Sequence, residues 1–346
     1  MRKTIFGFCL VFSLLLTACG GTTTDTPVPP TNAPTAASEA PTIAATVAMT
    51  ASATGDLSFT DASGTAVTLT KSPGRIVCLV SLCEDILFTL GIEPVAVNDK
   101  FGQNAEFWGD KAKSFTQLGG NFAQPNLEDI AKAKPDLVIG FVPHTGLRDA
   151  LKTIAPLYIM NPAKYQDSID YLKTVGRLTG HTARADAAGK AFLDKLAAYK
   201  AKSPNTKSPL LMFGNSVNFN IFTAGSLFGS VLSEATNYPW PAPTAGQAGS
   251  ADQEPGSLQY SLEKVLQKDP DVLLIESMNF APGSPSLSKQ LEANPVWGEL
   301  KAVKTKQVYE VRTDIYIFGR GTRSLSTALD DAMTKIYPDV FTKPLP

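Results

Sequence analysis

The sequence predicts an α/β protein: two Rossmann-like lobes with parallel sheets, joined by a single long α-helix, with a ligand cleft between the lobes. Three observations predict it. Short apolar runs alternate with helical stretches in two successive series. One unbroken helical pattern, Thr182 to Lys202, separates the series. A motif also occurs once on each side of that helix. Leu127-Glu128 is followed, seven residues after the Glu, by Pro135-Asp136 and an apolar run, and Leu262-Glu263 is followed at the same distance by Pro270-Asp271 and another.

The 346 residues are 43% hydrophobic and 18% charged, enough apolar material for packed cores. With 31 basic and 32 acidic residues, a broadly basic nucleic-acid binder is excluded. The chain opens with Arg2 and Lys3, then the apolar stretch Ile5 to Leu16, then Leu16-Thr17-Ala18-Cys19. Charge, short apolar run and small residues are those of an export signal, and the run is too short for a stable membrane span. Leu-Thr-Ala-Cys resembles the bacterial lipobox. The resemblance implies cleavage after residue 18 and diacylation of Cys19, and two acyl chains suffice for anchoring. Residues 19–54 are then a lipidated Cys and a Thr/Pro/Ala-rich tether, too poor in apolar side chains to fold and partly extended by its prolines.

The first lobe is expected over 55–181. Phe59 to Leu69 alternates around a Gly-containing turn and reads as a hairpin. Strands follow at Ile76–Val80, Pro94–Val97, Asp136–Phe141 and Leu157–Met160, with helices at Asp85–Leu90 and Leu127–Ala133. In the inter-lobe helix, 182–202, Ala185, Ala188, Phe192, Leu196 and Tyr199 form one apolar face. The second lobe, 203–346, carries strands at Leu210–Phe213, Asp271–Ile275 and Gln307–Val311, and helices at Leu227–Glu234, Leu262–Gln267 and Ser324–Ile336. Cys78 and Cys83 fall on different elements and read as two buried thiols, although an oxidising compartment permits their pairing.

Glu128 and Glu263 each stand in the first turn of a helix, after Asn126 and Ser261. There a carboxylate complements the helix dipole, an effect of about 0.3–1 kcal/mol. Dipole complementation explains either Glu alone, but it does not explain their shared register. A matched pair of exposed carboxylates can also meet paired arginines on a partner.

At this point the chain resembles the class III periplasmic substrate-binding proteins of ABC importers, the group that takes up ferric siderophores, haem and cobalamin. The matching segments run from Arg75-Ile76-Val77 through Glu84 to Gly91, then Asn126-Leu127-Glu128 to Ile139, Leu262-Glu263 to Asp271, and Asn294-Pro295-Val296-Trp297 to Tyr309. The resemblance implies that Glu128 and Glu263 dock onto arginines of a permease dimer served by an ATPase. It also implies that 182–202 is a stiff connection allowing small cleft closure. The expected protein is a monomeric, non-enzymatic binding lipoprotein held outside the cytoplasm by its lipid. It has no resident cofactor or metal, and it captures a ferric siderophore, an iron(III) chelate, and delivers it to the permease.

Ligand contacts are expected on loops after strand ends: Asn98 to Trp108, Asn121-Phe122, Pro143-His144, Asn215 to Phe219, Met278 to Phe280 and Arg312 to Arg323. Within and beside these loops Lys100, Phe101, Trp108, His144, Phe219, Trp240, Arg312, Tyr316 and Arg320 are the candidate binding residues. Aromatics with Arg suit a bulky, partly apolar anion. Haem, cobalamin, or a surface sensor without transport are the alternatives. No Walker loop, nucleophile elbow or zinc-protease motif occurs.

Overall fold

Two five-stranded sheets form the frame. The computed structural model describes residues 50–51, 57–98, 108–244, 254–279, 281 and 283–346, so the expected signal peptide, Cys19 and nearly all of the tether lie outside the described residues. A small antiparallel sheet of β1 (Thr50–Ala51), β2 (Leu57–Thr60) and β3 (Ala66–Leu69) comes first, so strand pairing begins ahead of the boundary expected at residue 55. Buried Asp61 ties this hairpin to the body. Its carboxylate accepts hydrogen bonds from the Thr65 and Ile159 amides and from the Arg148 guanidinium.

The first large sheet has the order β6-β5-β4-β7-β8 and is parallel throughout: β4 (Ile76–Cys78), β5 (Ala96–Val97), β6 (Thr116–Gln117), β7 (Leu137–Phe141) and β8 (Leu157–Met160). Helices α1 (Ser81–Leu90) and α2 (Leu127–Lys132) and the short α3 (Arg148–Leu151) lie in the connections. The second sheet has the order β11-β10-β9-β12-β13: β9 (Pro209–Gly214), β10 (Phe219–Phe222), β11 (Ser257–Tyr260), β12 (Val272–Ser277) and β13 (Val308–Glu310). Here the wholly parallel sheet expected from sequence is modified. β9, β12 and β13 are parallel, but β10 runs antiparallel to both neighbours. The reason is local: only Asn215 to Asn218 separate β9 from β10, too few residues for a crossover, so the chain must reverse.

The quasi-repeat reaches down to single hydrogen bonds. Asp136, ahead of β7, accepts from the Gly74 and Arg75 amides just before β4. Asp271, ahead of β12, accepts from the amide and hydroxyl of Ser208 just before β9. Each pairs with a lysine, Lys71 and Lys301. In both copies the residue before the Pro takes positive φ, 47° at Lys134 and 43° at Asp269. A left-handed residue there ends the helix and aims the chain into the strand.

The connection is thicker than one helix. Helix α5, Thr182–Lys202, has the predicted bounds, but α4 (Tyr165–Leu178), which the sequence reading passes over, runs back along it. Both helices cross between cores. Tyr171, Leu172, Val175 and Ala185 pack in the first core, and Tyr165, Ile169, Phe192, Leu196 and Tyr199 in the second. They approach closely because Gly176 and Gly189 lack side chains: a Cβ at Gly176 would stand 2.5 Å from that of Ala185. The second lobe adds α6 (Leu227–Ala235), α7 (Leu262–Lys268), α8 (Leu287–Leu291), α9 (Pro295–Glu299), α10 (Lys301–Lys304) and α11 (Thr313–Tyr316). The last helix, α12 (Thr322–Ile336), packs against α4 and α5 and also reaches α1 of the first lobe. At that crossing the fully buried Asp85 of α1 accepts from the Ser324 amide at 2.9 Å and hydroxyl at 2.6 Å, and from the Arg323 amide at 3.3 Å. One lobe thus caps the helix of the other. Among the described residues no helix is long and apolar enough to cross a membrane.

Candidate ligand-binding site

Helices cover the faces of an open parallel sheet and leave the carboxyl ends of its strands free, so ligand sites form there. In the first lobe β4 runs into Leu79, Val80 and Ser81, β5 into Asn98, β7 into Phe141, Val142 and Pro143, and β8 into Asn161. In the second, Phe213 lies near the end of β9, Met278 follows β12, and Ile317, Phe318 and Arg320 follow α11. All of these, with Phe122, Asn220 and Glu254, wall one cavity of about 420 Å³ between the lobes. That volume lies within the usual range of roughly 300–1,000 Å³ for small-molecule sites.

The floor is a short turn held by a covalent bridge. Cys78 ends β4, Cys83 sits in the first turn of α1, and the two form a disulfide with a Cα–Cα distance of 5.4 Å. This corrects the expectation of two separate thiols. A strand running through Val80 would have kept them apart, but β4 stops at Cys78 and the chain turns at once. The enclosed residues include Leu79, Val80 and Ser81, which wall the cavity.

Of the nine candidate binding residues, Arg320 lies in the cavity wall. Its Nη1 donates to Glu254 Oε1 at 2.8 Å and its Nη2 to Glu254 Oε2. The guanidinium stands 5.1 Å from the centre of the Phe141 ring, so it bridges the lobes by a cation–π contact. His144 is instead fully buried beneath the wall. Its Nδ1 accepts from the Phe141 amide at 3.0 Å, and its Nε2 lies 2.6 Å from the Phe122 carbonyl and donates to it. Burial holds the imidazole below its usual pKa, against the pull of these two bonds, and so keeps it neutral. With both nitrogens engaged it positions two cleft aromatics and leaves none for a metal. Gly140 makes room for it: a Cβ there would meet the ring at 3.0 Å.

Four aromatic candidates are packing residues. Phe219 is in the second lobe's core. Trp240 is buried there too, its indole N–H donating to the Pro209 carbonyl. Tyr316 donates its hydroxyl to Asp331 and packs edge-on against Phe228. Trp108 is half-buried, edge-on to Phe88 and Phe115. Arg312 forms an ion pair with Asp314 away from the cavity wall. Lys100 and Phe101 lie outside the described residues. The aromatics that do wall the cavity are Phe122, Phe141, Phe213 and Phe318. Phe122 and Phe318 fall in the expected loops. Phe141 and Phe213 end strands, where sequence does not say which face a side chain takes. Glu254 had no signal in the sequence; its role depends on a partner 66 residues away.

Polar groups are sparse in the wall. Asn98 donates its Nδ2 to the Asn121 carbonyl, while its buried Oδ1 has no hydrogen-bond partner among the described residues. Glu276 near the end of β12 is fully buried with both carboxyl oxygens unpartnered among the described residues. Burial and the neighbouring Glu254 push its carboxyl well above the usual range, against the opposing charge of Arg320. Among the described residues no cluster of His, Cys, Asp or Glu is placed to hold a metal ion.

Glu128 and Glu263 are both exposed in the first turns of α2 and α7. The Asn126 side chain caps α2 by accepting from the Glu128 and Asp129 amides. Ser261 makes no such cap. Its hydroxyl bonds to the Glu263 carboxylate instead and holds that group below its ordinary pKa.

Two α/β sheets presenting their strand ends to one cleft, over a helical connection, define a two-lobed solute-binding fold. The chain belongs to the periplasmic binding protein family, whose sequence model matches residues 76–315. It is 28% identical over 278 residues to the Fe(3+)-citrate-binding protein YfmC of Bacillus subtilis, covering 78% of this chain and 83% of that one. It is 28% identical over 263 residues to the Fe(3+) dicitrate-binding periplasmic protein FecB of Escherichia coli, covering 73% and 82%. Staphylococcus aureus SirA, solved with staphyloferrin B, shares the fold with a TM-score of 0.66 at 22% identity, over 80% of this chain and 97% of that one.

Proposed function

We propose that this protein is the solute-binding lipoprotein of an ABC importer, anchored outside the cytoplasm through Cys19, that captures an iron(III) chelate and hands it to the permease. The observation that carries this reading is the cleft itself. An aromatic-walled cavity of about 420 Å³ with one guanidinium has the size and surface for a compact ferric chelate. Relatives named for ferric citrate support the same ligand class. The burial of His144, with both ring nitrogens bonded, favours a chelate over haem, because the other histidine in the chain, His181, is exposed and lies outside the cavity wall.

Glu128 and Glu263 are the proposed contacts to the permease dimer, one from each lobe. The matched register and the exposure of both carboxylates support the role. Titration of the purified protein with ferric citrate, a neutral ferric hydroxamate, haemin and cobalamin, read by Trp fluorescence, tests the ligand class. Quenching by a ferric chelate is expected, and response to haemin or cobalamin alone overturns it. Reversing Glu128 and Glu263 to Lys is expected to abolish iron uptake and leave chelate binding intact. Normal uptake by that variant refutes the docking role.

A further inference from the structure

Arg320 is the cation described in the cavity wall, and its fork is already filled. Both terminal nitrogens donate to the two oxygens of Glu254, in the paired geometry that a guanidinium makes with any carboxylate. The pair is largely shielded, with side-chain exposures of 11% for Arg320 and 10% for Glu254. The opposite edge offers no alternative, because Arg320 Nε is buried without a hydrogen-bond partner among the described residues. Glu276, the other nearby acid, makes no hydrogen bond to the guanidinium: both its carboxyl oxygens are unpartnered among the described residues. A carboxylate on an incoming chelate therefore finds the Arg320 fork occupied by a group of its own kind.

From this geometry we propose that Glu254 is an internal stand-in for a ligand carboxylate: it holds the Arg320 fork in the empty cleft and is displaced by a ferric chelate that carries a free carboxylate. The inference rests on the ferric-chelate reading above and names the chelate's chemistry. Two features of the segment suit exchange. The Glu254 carbonyl is fixed by the Ser257 amide at 3.0 Å and hydroxyl at 2.7 Å, so only the side chain has to swing. The Phe141 ring beneath the guanidinium keeps Arg320 in place while its partner changes. A neutral trihydroxamate complex carries no free carboxylate, and its neutral oxygens do not match Glu254 in a charge-assisted pair, so it leaves Glu254 where it is. The stand-in thus acts as a filter that favours carboxylate-bearing chelates, and it lowers their affinity by the strength of the bond they must replace.

The test is fluorescence or calorimetric titration of the full chain and its Glu254→Ala and Glu254→Gln variants with iron(III)–citrate and with ferrichrome, a neutral trihydroxamate. Circular dichroism and thermal melting of each variant establish that it is folded. Glu254→Ala is expected to bind iron(III)–citrate roughly tenfold to a hundredfold more tightly, the range set by charge-assisted hydrogen bonds. Glu254→Gln, which keeps an acceptor but not the charge, falls between Ala and the parent. Ferrichrome affinity changes less than about twofold in either variant, because that ligand brings no carboxylate to exchange for Glu254. Unchanged or weaker citrate binding in both folded variants overturns the stand-in, as does an equal gain for both chelates. If the parent chain and both variants bind no ferric chelate, the ferric-chelate reading itself fails, and the stand-in fails with it.

Discussion

Removing the Asp85 carboxylate tests whether the two lobes are held in register by one buried cap. Asp85 lies on α1 and receives the Ser324 amide, the Ser324 hydroxyl and the Arg323 amide at the start of α12. Gly321 is adapted to it, since a Cβ there would stand 2.1 Å from Asp85 Oδ1. In Asp85→Ala these donors lose their acceptor in a place closed to water. Loss of an N-cap costs about 0.5–2 kcal/mol and a buried donor left unpaired about 1–3 kcal/mol. Removing the desolvation cost of the carboxyl offsets part of this. A net loss of about 2–4 kcal/mol is expected, which lowers Tm by on the order of 5–10 °C.

Asp85→Asn keeps an acceptor and should recover most of that loss. The pH dependence separates charge from acceptor. Burial raises the folded Asp85 pKa above its ordinary 3.8, more than its hydrogen bonds lower it. Between 3.8 and the folded value the native state holds the proton that the unfolded chain has released, so stability falls as pH rises through that window and is level above it. The Asn variant lacks this slope. Melting and urea unfolding of the three proteins from pH 4 to pH 8 supply the check. Asp85→Ala within about 0.5 kcal/mol of the parent, the ordinary surface-substitution range, would refute the cap, and so would Asn and Ala variants of equal stability at every pH.

Three further outcomes follow from other parts of the fold. Cys78→Ser with Cys83→Ser opens the bridge around the cavity floor; a loop this short gives a loss of about 2 kcal/mol in denaturant unfolding, together with weaker chelate binding in titration. Gly176→Ala drives a new Cβ to 2.5 Å from Ala185, so α4 and α5 must separate; calorimetry should show a loss of about 1–3 kcal/mol, and Gly298→Ala, on α9 with open space around it and no positive φ, supplies a comparison free of the clash. Burial raises the Asp61 pKa, but the bonds from Ser63, Arg148 and the backbone outweigh it and leave it below 3.8. Its stabilisation is therefore present above pH 3.8 and lost as pH falls through the folded value, and Arg148→Met should begin to unfold on acidification at a higher pH than the parent.

The order of elements was legible because periodicity and punctuation are local signals. The bounds of α5 follow from an apolar face ended by Ser203-Pro204, and the Leu-Glu/Pro-Asp echo marks the two lobes without any knowledge of contacts. Helix α4 carried a readable apolar face, Ile169, Leu172, Val175 and Leu178, and its omission left the connection looking like one helix instead of two. Part of the cleft wall was also legible, since Asn98, Phe122, Pro143, Met278 and Phe318 fall in loops placed after strand ends, whereas the Leu79–Ser81 turn, Asn161 and Glu254 were not expected there.

The side chains within those loops were a different matter. Whether Phe219 or Phe213 meets the cavity depends on which way each points from its strand, and one aromatic cannot be told from another by type. His144, Trp240 and Tyr316 look like ligand residues by composition, yet each has its polar atoms bonded inside the protein. The Asp85 cap joins residues 239 apart, and the Arg320–Glu254 pair joins residues 66 apart. The sequence by itself determined most of the elements and the two-lobed order, because those rest on patterns within a few residues. The tertiary structure alone decided the disulfide, the cross-lobe cap and the filled guanidinium, because each depends on which distant groups share a space closed to water.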